Sequence, residues 1–82
     1  MTTVWLYDTP IFKFDAETRI ATLFTGGWET MTTRRRMTEA INEICFNTPY
    51  HHAGIYSRKG TSVLRLDGAE HPFVGGLLTI QL

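Results

Sequence analysis

The sequence predicts an α+β domain in which one amphipathic helix packs on a small antiparallel sheet. Three observations carry this expectation. Both ends of the chain hold short apolar runs rich in β-branched and aromatic residues, punctuated by Gly, Pro and Asp. One central stretch shows apolar positions recurring at spacings of three and four. The length of 82 residues allows one domain, taken as residues 1–82, with the element order β-hairpin(s), helix, β-hairpin, strand.

The first strand is Val4-Trp5-Leu6-Tyr7, interrupted by Asp8-Thr9-Pro10. Ile11-Phe12-Lys13-Phe14 and Arg19-Ile20-Ala21-Thr22-Leu23-Phe24 then flank Asp15-Ala16-Glu17-Thr18. Asp is favoured at the first position of a type I turn, so these two runs form a hairpin. Gly26-Gly27 ends the second arm, and the threonine-rich Trp28-Glu29-Thr30-Met31-Thr32 reads as one more short strand.

From Thr33 the period changes. Met37, Ala40, Ile41, Ile44 and Cys45 form one apolar helical stripe, with Arg34, Arg35, Glu39, Asn42 and Glu43 largely off it. Thr32 or Thr33 is the expected N-cap and Asn47-Thr48-Pro49 the stop. Strands resume at Ala53–Ser57 and Ser62–Leu66, joined by Arg58-Lys59-Gly60-Thr61. Residues 67–72 read as a loop, and a last apolar strand, Leu77–Leu82, follows Gly75-Gly76 and is expected to be buried or paired. One helix covers one face of a sheet only. Trp5, Tyr7, Phe12, Phe14, Phe24 and Trp28 exceed what it buries, so an exposed aromatic face is expected.

Composition narrows the function classes. Hydrophobic residues at 43% and charged residues at 20% fit a folded globular chain. A net charge of zero gives no global drive toward nucleic acid or an anionic membrane. Cys45 is the sole cysteine, which excludes an intramolecular disulfide and suits a reducing cytoplasm. No signal-like start and no apolar run of the roughly 20 residues a membrane helix needs are visible. The expectation is a soluble cytoplasmic protein.

No catalytic constellation emerges from the residue pattern. His51-His52 and His71 lack the spacing and co-ligands of a metal site. Cys45 sits on the apolar stripe as a small hydrophobe. The expectation is a non-enzyme without metal or cofactor. Arg34-Arg35-Arg36 is the sharpest feature. Its plain reading is a solvated run. Placed in the first helical turn, however, the three cations repel one another and oppose the macrodipole, which argues for a contact role. Arg58-Lys59 at the hairpin tip is a second basic cluster, with ordinary turn chemistry as its plain reading.

The segments Phe14–Leu23, Thr25-Gly26-Gly27-Trp28-Glu29-Thr30-Met31-Thr32-Thr33, Arg36-Met37 with Ile41-Asn42, Tyr56–Gly60 and Pro72-Phe73 with Gly76 resemble small accessory proteins of phages and prophages. The resemblance covers most of the chain and implies a context in which such proteins often inhibit host defences, anti-CRISPR proteins among them. It implies a host protein or ribonucleoprotein complex as partner, and the residue pattern itself makes Arg34, Arg35, Arg36, Trp28, Arg58 and Lys59 the expected contact residues. Two alternatives stay open: a nucleic-acid-binding regulator using the same arginines, which zero net charge disfavours, and a homodimer or larger homo-oligomer acting in assembly.

Overall fold

The described residues form seven strands and one helix: β1 (Thr2–Leu6), β2 (Thr9–Asp15), β3 (Ile20–Phe24), α1 (Met31–Cys45), β4 (Ala53–Arg58), β5 (Thr61–Leu66), β6 (Ala69–Pro72) and β7 (Leu77–Gln81). The computed structural model describes residues 2–25, 30–45 and 52–82. The α+β class holds, and the strands divide into two antiparallel sheets. One has the order β1-β2-β3-β7, the other β4-β5-β6.

Turn chemistry makes most of these hairpins. Lys59-Gly60, Asp67-Gly68 and Gly75-Gly76 each place two successive residues at positive φ (53° and 79°, 48° and 91°, 60° and 77°). That is the twist-matched geometry of the tightest hairpin turns. Between β2 and β3, Asp15 behaves as expected of a turn-opening aspartate. Its Oδ1 accepts from the Glu17 N–H at 2.9 Å, and its carbonyl accepts from the Arg19 N–H at 2.7 Å.

Alternation then assigns the faces. Phe12, Phe14, Ala21 and Leu23 lie on the core side of the four-stranded sheet, all 5% exposed or less. A register shift between Val4 and Trp5 gives β2 one extra residue, so Ile11 and Phe12 are both buried. The opposite face carries Trp5, Ile20, Phe24 and Leu77, which are 38–55% exposed. The second sheet contributes Ile55, Leu64 and Leu66 to the same core, and α1 contributes Met37, Ala40, Ile41 and Cys45. Each of the larger aliphatic side chains fully buried there is worth about 1.5–3 kcal/mol.

Four expectations are corrected. The strand drawn from Trp28 to Thr32 does not form as such, because Met31 and Thr32 are already helical. The N-cap is Thr30, not Thr32 or Thr33. Thr30 Oγ1 accepts from the Thr33 N–H at 3.3 Å, and its carbonyl takes the first helical bond, from the Arg34 N–H. Local capping outweighed the β preference of the threonines. Residues 67–72 are a tight turn plus a strand, β6, and not a loop: Asp-Gly is a hairpin signal. Thr9 and Pro10 belong to β2, since Pro10 lies ahead of the residues that β3 pairs and needs no N–H there. Trp28-Glu29 and Asn47-Thr48-Pro49 lie outside the described residues.

One side chain fastens α1 to the second sheet. Thr38 Oγ1 donates to the Arg34 carbonyl at 2.8 Å and accepts from the Ile55 N–H at 2.9 Å. β4 pairs only with β5, so the Ile55 N–H points to an open edge that the Thr38 hydroxyl closes. Thr38→Val keeps the shape but leaves this N–H without an acceptor. It is expected to cost about 1–3 kcal/mol in urea unfolding, with Thr38→Ser much milder. Equal costs for the two would contradict a hydrogen-bonded clasp.

Candidate partner-binding surface

The helix start at Met31 moves the arginine run. Arg34 is the fourth helical residue and not the second, so the run begins where the macrodipole's effect is fading. The helix still carries no acidic residue in its first turn. At 100° per residue, successive arginines fan around the axis and do not share one face. Arg34 and Arg35 border a shallow groove of about 670 Å³ whose far wall is Ile55, Tyr56 and Ser57 of β4. Arg36 faces the other way, into a groove of about 880 Å³ with Val4 of β1 and Ala40, Asn42 and Glu43 of the helix. The run therefore straddles the helix and borders two grooves.

Their engagement differs too. Arg35 Nε lies 3.4 Å from Glu39 Oε1, with the two side chains 80% and 67% exposed. An exposed i,i+4 pair of this kind contributes only about 0.3–0.5 kcal/mol. Among the described residues, Arg34 and Arg36 have no ion pair.

Arg58 is held in place. Its Nη1 and Nη2 each donate to one oxygen of Glu70 at 2.7 Å, a bidentate pair that bridges β4 and β6 across β5. Nη2 also donates to the Tyr56 hydroxyl at 3.2 Å, and the guanidinium lies 5.6 Å from that ring's centroid. Tyr56 thus links the two basic clusters, with Arg34 and Arg35 across the groove and Arg58 beside its hydroxyl. Lys59 occupies the turn at φ 53° and is exposed. Trp28 lies outside the described residues.

Sequence reasoning missed a third concavity, of about 850 Å³, on the second sheet. It is lined by His52, Gly54, Tyr56, Arg65 and Asp67, among others. A Cβ added at Gly54 would meet nothing within 4 Å, so this glycine leaves a flat floor between larger side chains. A glycine inside an apolar strand was the available signal. Of the aromatic residues expected on an open face, Phe12 and Phe14 are buried, whereas Trp5, Tyr7 and Phe24 are exposed.

Among the described residues, no three His, Cys, Asp or Glu side chains group as a metal site, and no helix is long and apolar enough to cross a membrane. Cys45 is buried on the helical stripe. Among the described residues, the surface offers shallow grooves, one cross-strand ion pair and, on α1, two arginines without ion partners.

These features define a small α+β domain with grooves beside its helix. Residues 1–79 match the family model described as Kyanoviridae Gp96 protein. The chain belongs to that family, and is a small cyanophage protein. No curated protein and no solved structure matches it.

The Arg58–Glu70 geometry sets a measurable coupling. A double-mutant cycle of Arg58→Ala and Glu70→Ala is expected to give about 0.5–1 kcal/mol at low salt, shrinking as salt is added. Zero coupling at low salt would mean that Arg58 is free for another partner.

Proposed function

We propose that this phage protein is a non-catalytic inhibitor that binds a host defence complex, in the manner of anti-CRISPR proteins, and blocks it by occupying a surface. One observation carries the reading: Arg34 and Arg36 project from α1 beside two grooves without an ion partner among the described residues. Neither guanidinium has a counter-charge within ion-pair distance among the described residues, and a partner's acidic groups would supply one on binding. Arg35 stands between them with only an exposed, weak pair to break. The β4 groove sets Ile55 and Tyr56 beside Arg34 and Arg35, an aromatic next to cations as binding hot spots commonly have, whereas the Arg36 groove mixes Val4 and Ala40 with Glu39 and Glu43. Arg58 would contribute through Tyr56, and Lys59 would lie at the margin, with Trp28 kept as a contact candidate from the sequence. The host cytoplasm is the compartment where such a partner would be met.

The fan of arginines argues against the nucleic-acid alternative, because a phosphate-tracking surface wants its cations along one stripe. The balance of eight basic and eight acidic residues argues the same way.

Affinity capture from host lysate with the 82-residue chain tests the proposal. Wild type is expected to retain a protein complex, and the triple substitution Arg34→Ala, Arg35→Ala, Arg36→Ala to weaken retention by roughly a hundredfold, as loss of about 3 kcal/mol would. The triple variant's circular dichroism should match wild type. Equal retention by a folded triple variant, or capture of nucleic acid that is stripped by moderate salt, would overturn it.

A further inference from the structure

The two sheets present four outer strands, and three are closed to further pairing in different ways. β4 has its outward Ile55 N–H taken by Thr38 of the helix. β1 is kinked by the register shift between Val4 and Trp5. β6 is four residues long and carries Glu70, His71 and Pro72. Charge, proline, bulges and covering elements are the standard protections of an edge. Among the described residues, β7 is covered only at its start, where Val74 pairs with Leu77. Its five residues, Leu77–Gln81, include no charge and no proline, and its register with β3 is continuous.

Backbone phase shows which groups of β7 are open. Thr25 N–H donates to the Gly76 carbonyl at 2.9 Å, and Leu82 N–H donates to the Arg19 carbonyl at 2.8 Å. In an antiparallel ladder, polar groups alternate sides from one residue to the next. Gly76, Leu78, Ile80 and Leu82 therefore direct theirs toward β3, and Leu77, Thr79 and Gln81 direct theirs outward. Leu77 is already engaged, exchanging bonds of 2.9 and 3.1 Å with Val74. Thr79 and Gln81 are left, and no described residue pairs with their backbone N–H or C=O.

We infer that β7 pairs with β7 of a second copy, antiparallel, about a two-fold axis at Ile80. In that register Thr79 of each copy faces Gln81 of the other, and Ile80 faces its own equivalent. The four open N–H groups and four open carbonyls then take part in four hydrogen bonds. A register centred on Thr79 would demand the Leu77 groups that Val74 already holds. Any register shifted by one residue would turn core side chains outward.

The side chains fit the same axis. Leu78, Ile80 and Leu82 face the core side, each only half-buried, and they pack at the margin of the hydrophobic cluster. Pairing sets this row against the same row of the second copy, Leu78 beside Leu82 and Ile80 beside Ile80, so one core continues into the next. No like charges meet. The product is an eight-stranded sheet, β1-β2-β3-β7-β7-β3-β2-β1, with an isologous interface. The contact is small, which places its affinity in the micromolar-to-millimolar range. This inference does not depend on the proposed inhibitory function.

Sedimentation equilibrium of the full chain, from about 10 μM to about 1 mM, reads the association directly. Wild type is expected to rise from the 9.4 kDa monomer mass toward twice that value. Thr79→Pro removes an N–H that bonds nothing within one copy, so it should stay monomeric with an unchanged urea midpoint. Gln81→Pro, which blocks the same edge, serves if the first variant unfolds, and Thr79→Val should associate like wild type. A wild type that stays at 9.4 kDa throughout, or folded proline variants that associate as well as wild type, would overturn the inference.

Discussion

The hydroxyl of Thr38 is the constraint on which the arrangement of this molecule turns. It donates within its own helix to the Arg34 carbonyl and accepts from the backbone of β4, so one oxygen is fixed by both elements. A helix seated by its apolar stripe alone would be free to slide or roll, because hydrophobic burial is non-directional. The bond from Ile55 removes that freedom. It sets α1 along the edge of the second sheet while Met37, Ala40, Ile41 and Cys45 reach the core shared with the first. A polar residue beside the stripe thus decides the orientation of the apolar residues on it.

The placement of the arginines follows. With the helix rotation set at Thr38, Arg34 and Arg35 stand across from Tyr56, and Arg36 turns toward Val4. The same bond also covers part of the β4 edge. The chain is rich in strands and short in length, so every outer strand must be closed by some local device or remain open. The helix closes one, a bulge and polar residues close two, and β7 keeps its outward groups at Thr79 and Gln81. The helix side and the β7 edge differ accordingly, the first charged and grooved, the second uncharged and regular.

Local pattern made part of this legible. The stripe from Met37 to Cys45 and the Asp15 turn both rest on spacings of a few residues, and both stand in the structure. The Arg35–Glu39 pair is local in the same way, at i,i+4. β6 escaped because Ala69, Glu70, His71 and Pro72 carry no apolar alternation, although Asp67-Gly68 announces a hairpin. The cap escaped because Thr30 sits among threonines that favour strands equally well. The division into two sheets depends on β7 returning to β3 across most of the chain, and no local period encodes such a pairing. Thr38 lies among charged residues and reads as solvent-facing, so its role at the edge of β4 was invisible without the fold. The arginine run reads as one cluster in the sequence, but a helix turns 100° per residue and divides it between two grooves.

Amide hydrogen exchange at Ile55 tests this account most directly. Ile55 and Ser57 both direct their N–H groups to the outer edge of β4, but only the first meets an acceptor on α1. The Ile55 amide should exchange as slowly as the interior ladder amides of β5, with protection near the global stability, and Ser57 should exchange orders of magnitude faster. Ile55 exchanging as fast as Ser57 would mean that the helix is not clasped to the sheet.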